Sequence, residues 1–313
     1  MNKRIAIGVD IGGHHIACAA IDIDKNELIP DSMSEESVNN KATSKEILSK
    51  WCKALKETID KISSVSLVGI GFAMPGPFDY VNGIALFTKE VEKFESLYDI
   101  NVATEIRNNL SLPNNITLRF INDATAFGIA EAWIGKAKNE ERTIALTLGT
   151  GFGSAFIEKG LPVLEGNNVA KSGCLWHLPF NGGIADDSFS TRWFTNNYYQ
   201  RTGKPIAGVK EIALEAKKGE ETALQLFHEY GSNMGEFLSP WLEKFDAQSI
   251  VIGGNIIGSF EFFGNDLTKA IAKNNIETKV HLSELMEMAA IVGAAHLIDD
   301  VYYNKIKNLL SRM

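Results

Sequence analysis

Apolar and polar positions alternate between two periods along this chain, and each change of period marks an element. Residues 4–10 form a short β-branched run ending at Asp10, Gly12-Gly13 make a turn, and Ile16 to Ile23 predicts a second strand. Residues 25–42 turn polar around Pro30 and read as loop or sheet edge. Thr43-Ser44-Lys45-Glu46 supplies a capping box. Ile47, Leu48, Trp51, Leu55, Ile59 and Ile62 then recur at helical spacing, which predicts an amphipathic helix over about 44–63, with Cys52 packing beside its stripe. Leu67 to Ala73 reads as a strand that breaks at Met74-Pro75-Gly76-Pro77, where two prolines around a glycine fix a rigid turn. Val102 to Leu110 predicts a short helix and Ile116 to Ile121 a buried strand.

The strand runs into Asn122-Asp123 and then into a helix to about Trp133 carrying Ala124, Ala126, Gly128, Ala130 and Ala132. So many small residues permit close approach of a second helix or a sheet. Thr143 to Ile157 repeats the opening design of strand, glycine turn and strand around Gly149-Thr150-Gly151. Residues 220–244 read as a helix, and Ser249-Ile250-Val251-Ile252-Gly253-Gly254 echoes Ser66-Leu67-Val68-Gly69-Ile70-Gly71. This ordered internal echo predicts two similar α/β lobes facing each other. Residues 160–190 are the most irregular, with glycines punctuating a stretch that holds His177, Asp186 and Asp187; recognition residues concentrate in such loops. Arg192 to Gln200 starts helical structure again, Glu284 to Leu297 predicts a second small-residue helix, and the charged turns up to Met313 read as a surface helix.

Charge and composition narrow the function. With 313 residues, 45% hydrophobic and 22% charged, the chain suits two packed lobes. A net charge of −8 and no Lys/Arg cluster argue against a nucleic-acid surface. The three cysteines lie far apart, which suggests neither a disulfide framework nor a zinc knuckle and fits a reducing cytoplasm. No apolar run reaches the roughly 18 residues needed to cross a bilayer. Candidate chemistry sits at strand ends: Asp123 projects at a strand-to-helix junction, where it is either the helix cap or a working carboxylate. The glycines at Gly12-Gly13 either make an ordinary hairpin or bring backbone N–H groups up to an anion.

Asp10-Ile11-Gly12-Gly13, Pro75-Gly76-Pro77, Asn122-Asp123-Ala124, Gly149-Thr150-Gly151-Phe152-Gly153 and Ile252-Gly253-Gly254, in this order, resemble the ROK family of sugar kinases and sugar-responsive repressors. The resemblance implies an α/β fold of two actin-like (ribonuclease H-like) ATPase lobes facing a cleft, one made of residues 1–122 plus about 298–313 and the other of 123–297. It further implies an ATP- and Mg²⁺-dependent kinase acting on a hydroxyl of a hexose or hexose derivative, the 6-hydroxyl by analogy, and a homodimer. Asp10 would hold Mg²⁺ through water, and the turns at Gly12, Gly13, His14 and at Gly149, Thr150, Gly151 would meet the ATP phosphates. Gly253 and Gly254 would lie against adenosine, and Gly76, Asn122, His177 and Asp186 would contact the sugar. Asp123 would be the general base, a role compatible with capping.

Four departures from the family pattern stand out. His14 occupies the family's usual threonine position, where it either donates an N–H to phosphate or is a surface turn residue. In Gly173-Cys174-Leu175-Trp176-His177, Cys174 replaces the family's sugar-loop glutamate. A thiol is a weak partner, and an unpaired buried hydroxyl costs roughly 1–3 kcal/mol, which argues against glucose itself as substrate. Trp176 there either stacks on a sugar or fills the missing volume. Asp186 is shorter than the usual glutamate, so a solvated loop carboxylate is the alternative. Residues 178–189 lack cysteine, so no structural zinc is expected. The acidic charge and a kinase pattern beginning at Ile5 disfavour a DNA-binding repressor. The competing expectation is a catalytically impaired, sugar-binding or regulatory ROK protein.

Overall fold

A computed structural model describes residues 4–62, 67–89 and 93–313. Residue 63, at the expected end of the first helix, and Ser66, at the start of the strand echo, lie outside them. In chain order the elements begin with β1 (Ile5–Ile11), β2 (His15–Asp22), β3 (Glu27–Leu28) and β4 (Ser34–Ser37), followed by α1 (Ser44–Asp60) and β5 (Leu67–Met74). The short strands β6 (Phe78–Asp79) and β7 (Ile84–Ala85) precede α2 (Val102–Asn109), β8 (Thr117–Asn122) and α3 (Asp123–Trp133). Next come β9 (Arg142–Leu148), β10 (Phe152–Glu158), β11 (Leu161–Pro162), β12 (Pro179–Phe180) and β13 (Gly183–Ile184). Then α4 (Ala185–Phe189), α5 (Thr191–Thr202), α6 (Val209–Lys217), α7 (Glu221–Phe245), β14 (Ser249–Gly253), α8 (Phe260–Ala272), β15 (Lys279–Leu282), α9 (Met288–His296) and α10 (Asp300–Ile306) complete the chain.

The chain divides into two compact units, 1–130 with 288–313, and 131–287. In the first, the sheet order is β3-β2-β1-β5-β8, with β4 added on β2; β1 and β2 are antiparallel while β1, β5 and β8 are parallel. In the second the order is β11-β10-β9-β14-β15, again antiparallel from the edge strand to the first long strand (β11-β10-β9) and parallel beyond it (β9-β14-β15). The internal echo therefore holds at the level of topology over five strands, with β4 an addition to the first sheet.

Local chemistry explains the elements. Thr43 accepts the N–H of Glu46 while the Glu46 carboxylate accepts the Thr43 N–H, so the expected capping box starts α1. Trp51, Cys52 and Leu55 of that helix are buried. Aromatic packing fills both cores: Phe72 stacks on Phe120 in the first unit, and Phe152, Phe189, Tyr230 and Phe237 interlock in the second.

The boundaries differ from the sequence expectation. Helix α9, assigned from sequence to the second lobe, packs on β1 and β5 of the first unit. A Cβ at Gly8 would lie 1.9 Å from the Ile291 carbonyl oxygen, and one at Gly71 1.8 Å from that of Ala294. The first turns of α3 stay with the same unit, since a Cβ at Gly293 would lie 1.9 Å from the Ala126 oxygen. Small residues let these backbones touch, and that contact holds 123–130 and 288–297 on the first sheet. Helix α9 also starts later than Glu284: Met286 has φ +51°, outside helical space, and its N–H is taken by the Ser283 hydroxyl.

Candidate functional site

In the first unit the candidate residues line the carboxyl ends of three adjacent parallel strands. Asp10 of β1 is in register with Ala73 of β5, Ala73 with Ile121 of β8, and Met74 with Asn122. Ligands of open α/β sheets bind at this edge. The half-buried Asp10 thus lies two strands from Asn122-Asp123. The β5 end leads into Pro75-Gly76-Pro77, where Gly76 is exposed and the Tyr80 hydroxyl donates to the Met74 carbonyl.

Asn122 is the cap of α3: its Oδ1 accepts the N–H of Thr125 at 3.1 Å and faces the Thr125 hydroxyl at 3.2 Å. Asn122 takes the Thr125 donor while Asp123 takes the first-turn donor of Ala124, so the two side chains share the capping and the two readings of Asp123 stay compatible. Asp123 Oδ1 accepts the Ala124 N–H at 2.8 Å and the Asn122 side-chain amide at 2.9 Å. Burial, the largest influence, pushes the Asp123 carboxyl above the ordinary aspartate range; the Lys93 charge and these hydrogen bonds pull it partly back. Lys93 was invisible to sequence reasoning, since it lies thirty positions upstream in a stretch without periodicity.

The β1–β2 turn closes through the Gly12 N–H on the His15 carbonyl at 3.0 Å. The Asn40 amide donates to the Gly13 carbonyl at 2.6 Å, and the exposed His14 gives its own carbonyl to Val38. A Cβ at Gly12 would meet the His15 ring at 2.4 Å, so a side chain there would displace that ring.

In the second unit the equivalent β9–β10 turn closes through the Gly149 N–H on the Gly151 carbonyl at 3.0 Å, with Thr150 and Gly151 exposed. Gly254 has φ +87°, and a Cβ there would lie 2.3 Å from the Leu148 oxygen. Gly253-Gly254 thus abuts the strand that feeds the turn. Thr191, at the start of α5, donates its N–H and hydroxyl to the Gly149 carbonyl at 2.8 and 2.9 Å. Asp186 accepts the Phe152 N–H at 2.7 Å through Oδ1 and the Arg192 guanidinium at 2.7 Å through Oδ2. It is not the solvated loop carboxylate of the alternative reading.

The loop carrying His177 joins this group: Leu175 N–H donates to Ser154, and the Trp176 carbonyl accepts from Asp186 N–H. Cys174 Sγ lies 3.7 Å from His177 Nδ1, and burial raises the thiol and lowers the imidazole, so both are neutral near pH 7. Trp176 is 48% exposed and stands edge-on to His177. Asn40, Thr191 and Arg192 escaped the sequence reading because they lie outside the glycine motifs and act by contact.

Among the described residues no three His, Cys, Asp or Glu side chains converge as a metal-holding group, and no helix is long and apolar enough to cross a membrane. Mg²⁺ carried on nucleotide phosphates needs only one or two protein carboxylates, with phosphate and water completing its shell. Asp10 at a strand end, near a glycine turn, suits that arrangement.

The ROK family model matches residues 6–301. The chain belongs to the ROK family. It is 25% identical to the glucokinase of Thermotoga maritima across 96% of this chain and 99% of that protein. It is also 25% identical to the N-acetyl-D-glucosamine kinase of Photobacterium profundum, across 92% and 94% respectively. The fold is that of the ROK glucokinase from Streptomyces griseus solved with glucose and AMPPNP, with a TM-score of 0.75 at 21% identity over 94% of this chain and 98% of that one. This ROK protein thus has the two-unit actin-like fold expected from its motifs.

Proposed function

We propose that this ROK protein is an ATP- and Mg²⁺-dependent kinase of a hexose or hexose derivative, with Asp123 as general base. The carrying observation is the Asp123 carboxyl itself. It stands at a strand-to-helix junction beside the Asn122 cap, and burial raises its affinity for a proton. The relatives, named as glucokinase and N-acetyl-D-glucosamine kinase, support the reaction class.

In this reading His177, Asn122 and Gly76 hold the sugar. Asp123 takes the proton of the acceptor hydroxyl, the 6-hydroxyl by preference, as that oxygen attacks the γ-phosphorus. The turns at Gly12-Gly13-His14 and Gly149-Thr150-Gly151 present backbone donors to the phosphates, Gly253-Gly254 flanks the adenosine, and Asp10 would hold the nucleotide's Mg²⁺ through water. Mg²⁺ supplies charge neutralisation of the phosphates when bound. Transfer of this kind depends on positioning and charge stabilisation, so one carboxylate suffices on the acceptor side. The homodimer is carried over as part of the same reading.

Cys174, weakly paired with His177, favours a second reading: a sugar-binding regulator without turnover. A panel of hexoses, N-acetylhexosamines and glycosides incubated with Mg-ATP discriminates the two. The kinase reading expects ADP release with one class and its loss in Asp123→Asn. Sugar binding by calorimetry, no phosphorylated product from any panel member, and no effect of Asp123→Asn would overturn it.

A further inference from the structure

We propose that Asp186 and Arg192 form a clamp that sets the second glycine turn for nucleotide phosphates, so that Asp186 serves the nucleotide and not the sugar. The inference rests on the kinase reading of that turn but reverses the role that the family resemblance implies for Asp186.

The turn is gripped on both flanks. Thr191 holds the Gly149 carbonyl on the incoming side, and Asp186 Oδ1 holds the Phe152 N–H on the outgoing side. Asp186 Oδ1 lies 3.1 Å from where a Gly151 Cβ would stand, so the carboxylate rests directly against the turn. Aspartate, one methylene shorter than glutamate, stays down on the main chain here. A sugar hydroxyl competing for this carboxylate would draw on the oxygens that now hold Phe152 and Arg192.

A bare carboxylate at this place would oppose phosphate binding, because like charges a few ångströms apart repel. Arg192, with its guanidinium 2.7 Å from Oδ2, cancels that charge. Its side chain is 55% exposed and also approaches Asp187 at 4.0 Å. As a surface ion pair it would contribute little to stability. Placed here, it lets an acidic side chain brace an anion-binding turn.

The test is calorimetric binding of ADP in excess MgCl₂, which requires no turnover, alongside thermal melts to confirm folding. Arg192→Ala leaves the carboxylate uncompensated, and ADP affinity is expected to fall about tenfold. Adding Asp186→Asn to Arg192→Ala keeps an acceptor for Phe152 but removes the charge, and is expected to recover most of that loss. A merely structural role would not produce such a rescue. Asp186→Ala is expected to weaken ADP about tenfold through the lost brace. Wild-type protein that binds ADP, with Arg192→Ala and Asp186→Ala binding it equally well, would overturn the clamp alone. A wild type that binds no ADP would overturn the nucleotide reading of the turn, and the clamp with it.

Discussion

The two sheets run their strands in the same order, yet matching positions carry different chemistry. Where β8 ends, Asn122 caps the next helix and Asp123 presents a carboxylate whose proton affinity burial has raised. Where β15 ends, the Ser283 hydroxyl donates to the fully buried Glu131 carboxylate at 2.5 Å and accepts the Met286 N–H. In the proposed reading the first strand end serves proton transfer, while the second ties the chain down. The glycine turns differ likewise: a neutral amide, Asn40, braces the first, and the Asp186–Arg192 ion pair braces the second. A repeated backbone decides where ligands can approach, while side chains from outside the repeat decide what each place can do.

The sharpest way to break this comparison is at Asp123. Asp123→Asn is expected to lower kcat by about 10²–10⁴-fold while ADP binding persists. Wild-type turnover in this variant would remove the distinction between the two strand ends. The next largest effect belongs to the opposite end. Ser283→Ala leaves the buried Glu131 carboxylate short of a donor, and thermal or urea unfolding should show a loss of about 1–3 kcal/mol. Its kcat per folded molecule should not change. A kcat loss without destabilisation would mean that the β15 end takes part in chemistry after all.

The contrast between the turns is gentler. Asn40→Ala removes one neutral hydrogen bond to Gly13, so ADP affinity should fall about two- to fivefold, less than for Asp186→Ala. If the two variants rank the other way, the neutral brace is the more important one.

What was legible in the sequence follows from this division. Strand and helix periods, the Thr43 capping box and the echo of one sheet in the other are local patterns, and the backbone obeys them. Of the glycine motifs, Gly254 answers to a backbone requirement, since its φ is +87° and a Cβ there would collide with the Leu148 main chain. The division of the chain was misplaced because α9 reaches β1 and β5 through contacts between residues some 200 to 280 positions apart, which no local period encodes. The braces were missed for the same reason: Asn40 is 27 positions from Gly13, and Asp186 is 34 from Phe152. The strand-to-helix junction at Asp123 was legible, but the sharing of first-turn donors between Asn122 and Asp123 depends on side-chain rotamers that no sequence period encodes.

The smallest expected effect tests the electrostatics around Asp123. A general base works when deprotonated, so kcat/KM should rise with pH along a limb set by this carboxyl, lying above the ordinary aspartate value of about 3.9. Lys93 opposes the shift, and Lys93→Met should therefore move the limb to higher pH. A limb that stays put would mean that the lysine charge is not felt at the base. Stability provides the matching sign. A carboxyl raised in the folded state binds its proton more tightly there than in the unfolded chain. Its contribution is complete below the unfolded value and is lost as pH rises through the folded one. Asp123→Asn should accordingly gain stability relative to wild type as pH rises through that window, and the gap between the two melting curves should close below it. A site that loses turnover and gains stability through one substitution holds its carboxylate for chemistry at a cost to the fold. Ser283→Ala, which loses stability and keeps turnover, is the reverse case on the matching strand.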